Sequence, residues 1–201
     1  MNGSRGARAV TLLLPVVALL SACTDEGPSV SLELPACSGG DDGDAANGVV
    51  LMAQSVPSAS WVPCVEGVPV GWKFAGLDAR SGSARFWLNS DRDGDHAIEV
   101  RLDARCDTEG ATAVPTDREG LSRLERVSQV TPEYHGRRFY LFDGGCITVV
   151  LTLAGEYRGE PLALATQGIG VVDREALAVQ VRQETDGRLE LDPPPDEGGP
   201  P

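Results

Sequence analysis

The sequence predicts an α+β fold, in which an antiparallel sheet made of a meander and a hairpin packs one face against a C-terminal helix. Two observations support this prediction. Several short segments alternate apolar and polar residues, which is typical of strands that have one face in water. Near the carboxyl end, over residues 173–184, the apolar spacing changes to that of a helix.

Three strand segments in the middle of the chain are separated by gaps of turn length. They cover residues 72–77, 85–89 and 97–103, and the third alternates aliphatic with charged side chains. The gaps contain Ser81-Gly82-Ser83 and Asp91-Arg92-Asp93-Gly94-Asp95, which are rich in turn-forming residues. Short polar gaps between successive strands predict an antiparallel meander.

The second half of the chain contains a hairpin signal. Residues 138–142 and 146–153 are apolar segments that flank Asp143-Gly144-Gly145. Two strands joined by such a short glycine-rich gap predict a hairpin. Residues 124–131 are also assigned to a strand, although their apolar side chains recur at every third position.

Helix signals follow the hairpin. A short helix is predicted over 161–167, with Pro161 in its first turn. Asp173 can cap the main C-terminal helix over 173–184. The leucines in 189–191 suggest one last short strand.

Residues 1–22 have the layout of a secretory signal peptide. Arg5 and Arg8 precede an apolar run over 9–20, and the segment contains no acidic residue. A membrane-spanning helix needs about 20 apolar residues, so this run of about 12 is too short to remain as one. The two arginines are not adjacent, which favours Sec export over the twin-arginine route.

Leu20-Ser21-Ala22-Cys23 resembles the lipobox of bacterial lipoproteins, in which an aliphatic residue and two small residues precede a cysteine. The resemblance implies that Cys23 receives a diacylglycerol, that the chain is cut before it, and that the product sits on the outer face of the cell membrane. Two acyl chains at about 0.8 kcal/mol per buried CH₂ form a stable anchor. The alternative is an ordinary signal peptide cut near Ala22.

The chain after the signal peptide divides into three parts. Residues 23–46 are rich in Asp, Gly and Ser and predict a lipid-anchored flexible spacer, in which 29–34 can form a short strand. Residues 47–191 are expected to form a single disulfide-stabilised domain. Residues 192–201 consist mainly of Pro, Gly and acidic residues, which predicts a disordered tail.

Charge excludes one class of partner. All 30 acidic residues but only 15 of the 17 basic residues follow position 22, so the mature chain has a net charge near −15. Such a chain is not drawn to nucleic acid, and anionic lipid head groups repel it. Membrane attachment is therefore expected to depend on the acyl chains at Cys23.

Four cysteines remain when Cys23 is set aside, and they allow three disulfide pairings. Cys106 follows one predicted strand and Cys146 begins another, so we pair these two. Cys37 and Cys64 then join the spacer to the domain, and loops of these lengths contribute about 3.5–4 kcal/mol each. The alternative, a metal site, lacks any Cys-x-x-Cys spacing and any histidine near a cysteine pair.

Local motifs do not identify a catalytic residue, a metal ligand or a cofactor. The segment Asp91–Asp95 looks like a calcium loop, but His96 replaces the glycine at position six and Leu102 the carboxylate at position twelve. Gly168-Ile169-Gly170 lacks the third glycine of a dinucleotide-binding turn. Neither Gly-x-Ser-x-Gly nor Ser-x-x-Lys occurs, so no serine nucleophile is indicated.

Isolated histidines and aromatic residues remain as candidates. His135 is expected in a surface turn rather than as a catalytic base. The aromatic residues either line a binding face or fill the core, and the second is the more common fate of aromatic side chains in strands. They are Trp61, Trp72, Trp87, Tyr134 and Tyr140.

The mature chain resembles an uncharacterised family of actinobacterial exported proteins over residues 49–192. The resemblance lies in Val62-Pro63-Cys64, Gly71-Trp72, Cys106-Asp107 and the run from Tyr140 to Thr148, together with Val114-Pro115 and Glu125-Arg126-Val127. That family has no assigned activity. The resemblance therefore implies an envelope location and no site residues.

These features favour a non-catalytic binding or accessory module that is anchored at Cys23 and contacts an envelope protein. The alternative is an envelope hydrolase that uses carboxylates or a metal, which predicts a cleft where two acidic groups converge beside His96 or His135. A receptor for a small solute is a third option, but one small domain offers no cleft between two lobes.

Overall fold

The computed structural model describes residues 29–31, 33–37, 45 and 47–194. The signal peptide, the lipobox with Cys23 and the end of the tail from 195 to 201 lie outside the described residues.

The described chain contains ten strands, three α-helices and one π-helical turn. In chain order they are β1 (Ser29–Ser31), α1 (Asn47–Ser55), β2 (Trp61–Val65), β3 (Trp72–Arg80), β4 (Ser83–Ser90), β5 (Gly94–Asp103), β6 (Thr112–Val114), β7 (Ser122–Gln129), β8 (Tyr134–Phe142), β9 (Gly145–Leu153), α2 (Gly159–Ala163), the π-turn (Leu164–Gly168), β10 (Ile169–Asp173) and α3 (Arg174–Glu184).

Eight of these strands form one antiparallel sheet in the order β1-β3-β4-β5-β9-β8-β7-β6, and β10 pairs with β2 in a second, two-stranded sheet. Strands β3, β4 and β5 are the predicted meander, and β8 and β9 are the predicted hairpin. The hairpin joins the meander through β9, where Val149 pairs with Val100 of β5. The α+β fold predicted from the sequence is confirmed.

One face of the large sheet forms the core. Leu77, Phe86, Val100 and Val149 are paired across four neighbouring strands, and each is at most 1% exposed. Helices α1 and α3 and the two-stranded sheet contribute to the same core through Met52, Leu177, Val62 and Ile169, among others. The alternation seen in the sequence therefore corresponds to one dry and one wetter sheet face.

Four elements were not predicted, namely α1, β2, β6 and β10. Helix α1 has no acidic residue in its first turn and no basic residue in its last, so the usual end signals are absent. Strand β2 contains Pro63, which lowers the expectation of a strand. The predicted strand over 189–191 is wrong, since no strand is formed there. Instead, the Glu190 carbonyl oxygen accepts a hydrogen bond from the Gln54 amide on α1 at 3.3 Å.

Parts of the 23–46 segment are joined to the domain. Strand β1 pairs with β3, and the Val65 backbone N–H donates to the Pro35 carbonyl at 2.7 Å. The structure contains the disulfides Cys37–Cys64 and Cys106–Cys146, the two pairings favoured from the sequence. The spacer is therefore attached to the folded domain through β1, through the contacts of Pro35 and Cys37 with β2, and through the Ala45 N–H, which donates to Glu184 Oε1 at 2.9 Å.

The large sheet has two opposite ends that matter below. The turns between β3 and β4 and between β8 and β9 lie at one end, which we call the Gly82 end. The turn between β4 and β5 lies at the other end, which we call the Asp93 end. Because β1 is antiparallel to β3, with Ser29 opposite Ala79, the first residue of β1 lies at the Gly82 end.

Candidate functional site

A cleft of about 250 Å³ lies at the Asp93 end of the sheet. Three segments that are far apart in sequence form its walls: the loop before β3, the turn between β4 and β5, and the segment between β9 and the first residues of α2. Its lining includes Val70, Trp72, Asp91, Arg92, Tyr157 and Glu160. We call it the Val70–Tyr157 cleft.

Two large apolar side chains at this cleft are exposed to solvent. Val70 is 99% exposed and Tyr157 is 79% exposed, whereas Trp72 between them is only 6% exposed. The other strongly exposed apolar residues of the described chain reach at most 58%. Single exposed apolar residues are common, but two beside one concave surface are typical of a contact site.

The turn between β4 and β5 is held rigidly by hydrogen bonds. The buried Ser90 hydroxyl accepts from the backbone N–H groups of Arg92 and Asp93, at 3.2 and 3.1 Å, and donates to Asp93 Oδ2 at 3.0 Å. Asp93 Oδ1 accepts from the Gly155 N–H at 2.9 Å. A Cβ atom at Gly155 would lie 2.9 Å from that oxygen, so a larger residue here would require the Asp93 carboxylate to shift. The turn between β4 and β5 is thereby bonded to the segment that follows β9, which forms another wall of the cleft.

The charged groups of the cleft are paired across it. Arg92 Nη1 lies 2.9 Å from Glu160 Oε2, and Lys73 Nζ lies 3.7 Å from Asp91 Oδ1. All four side chains are at least 42% exposed, and exposed pairs of this kind contribute about 0–1 kcal/mol. A ligand can therefore replace either partner at small cost.

A wider apolar groove of about 530 Å³ continues from the cleft. Residues 66–69 form one side, while Ala163, Leu164, Gln167 and Gly168 form the other. The groove shares Glu160 with the cleft, and Val70 follows directly on the groove residue Pro69. Cleft and groove together form an elongated track.

Two arginines, Arg138 of β8 and Arg118 of the loop between β6 and β7, hold α2 and the π-turn in position beside this track. Arg138 donates to the Leu162 carbonyl at 3.1 Å and to the Thr166 hydroxyl, and its Nε lies 2.8 Å from Glu125 Oε1. Arg118 donates to the carbonyl oxygens of Thr166 and Ile169 at 3.2 and 2.9 Å. These guanidinium groups satisfy carbonyls at a helix end, where the helix itself offers no partner.

The segment Asp91–Asp95 has the structural role expected of it, because it contributes the turn between two strands. Its central carboxylate, Asp93, is hydrogen-bonded within the fold. Within the described ranges, no three or more His, Cys, Asp or Glu side chains are grouped so that they could hold a metal ion.

Neither histidine lines the Val70–Tyr157 cleft. The His96 ring stacks on Trp87 with 5.1 Å between ring centres, and its backbone N–H donates to Asn89 Oδ1 at 2.8 Å. His135 Nε2 lies 3.5 Å from Glu133 Oε2.

The five aromatic candidates do not share one face. Trp72 lies in the cleft, Trp61 borders a separate hollow that also contains Arg118, and Trp87 lies beneath Arg85 on the sheet face opposite the core. The remaining two, Tyr134 and Tyr140, contact the guanidinium groups of Arg158 and Arg118.

Val70 and Tyr157 were not predicted from the sequence as site residues. Both lie in loops, where neither helical nor strand periodicity applies. The available signal was the apolar run Val68-Pro69-Val70, which directly precedes the predicted strand over 72–77 and contains a proline that does not favour a strand.

The described residues contain no helix that is long and apolar enough to cross a membrane. Comparison with protein families, with curated proteins and with solved structures finds no match to the chain. The resemblances to bacterial lipoproteins and to an exported actinobacterial family therefore stay predictions.

Proposed function

We propose that the protein is a lipid-anchored binding module on the outer face of the cell membrane, and that the Val70–Tyr157 cleft receives an extended segment of an envelope protein. The lipobox residues Leu20 to Cys23 support the location. The observation that supports the binding site is the exposure of Val70 and Tyr157 on either side of one cleft.

The size of the cleft favours a peptide segment over a compact cofactor. Sites for small molecules usually enclose about 300–1,000 Å³ and bury most of the ligand. The cleft encloses only about 250 Å³, and the adjoining groove of about 530 Å³ is more open to solvent than the cleft. One side chain of the partner fits the cleft beside Trp72, and neighbouring apolar residues follow the groove past Leu164.

Charge favours a partner segment that carries a basic residue. Asp91 and Glu160 are half-exposed at the cleft, and Glu66 borders the groove. Arg92 and Lys73 neutralise only part of this charge, in a chain whose mature form is strongly acidic. Complementary charge raises the rate of encounter and selects among partners.

Binding rather than catalysis is favoured by the way the carboxylates are used. Asp93 is hydrogen-bonded within the fold, Glu160 is paired with Arg92, and Asp91 faces Lys73. Only Asp93 joins two walls of the cleft, the other two carboxylates are in exposed ion pairs, and neither histidine lines the cleft to exchange a proton with them.

The anchor is tested in a bacterial host that processes lipoproteins. We expect labelled palmitate in the wild-type protein, and release of Cys23→Ser into the soluble fraction. Globomycin, which blocks lipoprotein signal peptidase, should cause the precursor to accumulate. Unlabelled protein that stays in the membrane after Cys23→Ser would exclude the lipoprotein assignment.

The cleft is tested by photocrosslinking in intact envelopes. A photoreactive amino acid replaces Val70 in one variant and Val179, a 46% exposed residue on α3, in a matched control. We expect a discrete crosslinked protein from position 70 only, and we expect Tyr157→Ala to abolish it. Equal crosslinking from both positions, or insensitivity to Tyr157→Ala, would remove the cleft from the proposal.

A further inference from the structure

The distance between the predicted anchor and the sheet is short. Six residue steps separate Cys23 from Ser29, and each step spans about 3.8 Å at most, so the two Cα atoms lie within about 23 Å of each other. Strand β1 therefore holds the domain close to whatever surface carries Cys23.

The Val70–Tyr157 cleft lies at the opposite end from this attachment. Ser29 pairs with Ala79, which is seven residues along β3 from Trp72. At about 3.3 Å per residue, Ser29 is about 23 Å from the level of Trp72. Trp72 is paired with Ser90, and the turn from Asp91 to Asp93 that lines the cleft follows Ser90, so the cleft begins at this level and extends away from Ser29.

These two lengths decide how the domain can stand on a membrane. If the cleft faced the bilayer, Ser29 would be raised by more than about 23 Å above it, which exceeds the reach of the chain from Cys23 even when that chain is fully extended. We infer that the Gly82 end of the sheet faces the lipid surface and that the Val70–Tyr157 cleft faces away from it. The partner of the cleft is then a protein segment outside the bilayer, rather than a lipid or a membrane-spanning helix.

This inference rests on the proposed lipid anchor. The experiment tests the orientation of the domain separately from the lipidation of Cys23. The chain from Cys23 to Pro201 is coupled through the Cys23 thiol to a maleimide lipid in phosphatidylcholine vesicles. The other four cysteines are held in disulfides, so coupling is specific. Because the attachment is chemical, the result does not depend on whether cells lipidate Cys23.

The single lysine of the chain provides the label. Lys73 lies beside the cleft, with its side chain 76% exposed, and Arg80 lies at the Gly82 end of the same strand, with its side chain 58% exposed. A donor dye is attached to Lys73 in the wild type and to position 80 in a Lys73→Arg/Arg80→Lys variant. Lys73→Arg alone gives the background from the chain terminus. Energy transfer to an acceptor dye in the membrane is then measured.

We expect transfer from position 80 to exceed transfer from position 73 by on the order of fivefold, because the two sites differ in height by about 20 Å and transfer to a plane falls with the fourth power of distance. A 20-residue Gly-Ser insertion after Gly27 should remove the difference. Equal transfer without the insertion, or stronger transfer from position 73, would overturn the inference.

Discussion

Removing the Asp93 carboxylate tests whether the walls of the cleft are fastened to each other. Its two oxygens accept hydrogen bonds from Ser90 Oγ and the Gly155 N–H, at 3.0 and 2.9 Å. Hydrogen bonds to a charged group contribute about 1.5–3 kcal/mol each. Since Asp93 is half-exposed and Ser90 keeps its two backbone donors, we expect Asp93→Ala to lower the free energy of unfolding by about 2 kcal/mol in total.

Urea unfolding followed by circular dichroism measures this change, which corresponds to a fall in Tm of about 6 °C for a domain of this size. Amide hydrogen exchange at Gly155 gives a local readout and should become faster. Asp95→Ala, at an exposed position five residues from Ser90, is the matched control and should stay within about 0.5 kcal/mol of wild type. If both variants unfold alike and Gly155 stays protected, the cleft walls are not joined as described.

Three further substitutions test the fold. The hydrogen bond from Arg80 is the main cause that lowers the pKa of Asp78. The ionised Asp78 carboxylate therefore stabilises the folded state above about pH 4, and this stabilisation is lost as the pH falls below that value. Asp78→Asn should make acid unfolding curves less steep. Burial raises the pKa of the Tyr134 hydroxyl, so stability should fall as the pH rises above about 10, and less so in Tyr134→Phe. Arg174, only 7% exposed, donates to two backbone carbonyls that link α1 to the chain after α3. Arg174→Ala should cost about 3 kcal/mol in urea unfolding, whereas Arg182→Ala on the exposed face should cost little.

The sheet could be predicted because its strands follow local rules. In β5 apolar and charged residues alternate, and the short polar gaps on either side of β4 leave no room for a crossover helix. Strands β2 and β10 escaped prediction because each depends on the other. Their pairing joins Gly170 to Cys64 across more than a hundred residues, which no local pattern reveals.

The candidate site could not be predicted for a related reason. Val70, Asp93 and Tyr157 come together only because β3, β4 and β9 all have one end at the same edge of the sheet. Asp93 was interpreted correctly as a turn residue, since local composition determines a turn. Its bond to Gly155 depends on the strand order β4-β5-β9, which the sequence does not state.

Electrostatic repulsion is a second physical explanation for an outward-facing cleft. Varying the salt concentration distinguishes it from the explanation by the short chain between Cys23 and β1. A chain near −15 is repelled by anionic lipid, but at 0.15 M salt this repulsion decays over about 8 Å, and at 1 M over about 3 Å. A repulsion of such short range cannot determine the orientation of a domain whose two ends differ by about 20 Å in height. We therefore expect the transfer difference between positions 73 and 80 to persist in neutral vesicles and at 1 M salt. A difference that appears only on anionic vesicles at low salt would mean that charge, and not the six residue steps between Cys23 and β1, orients the domain.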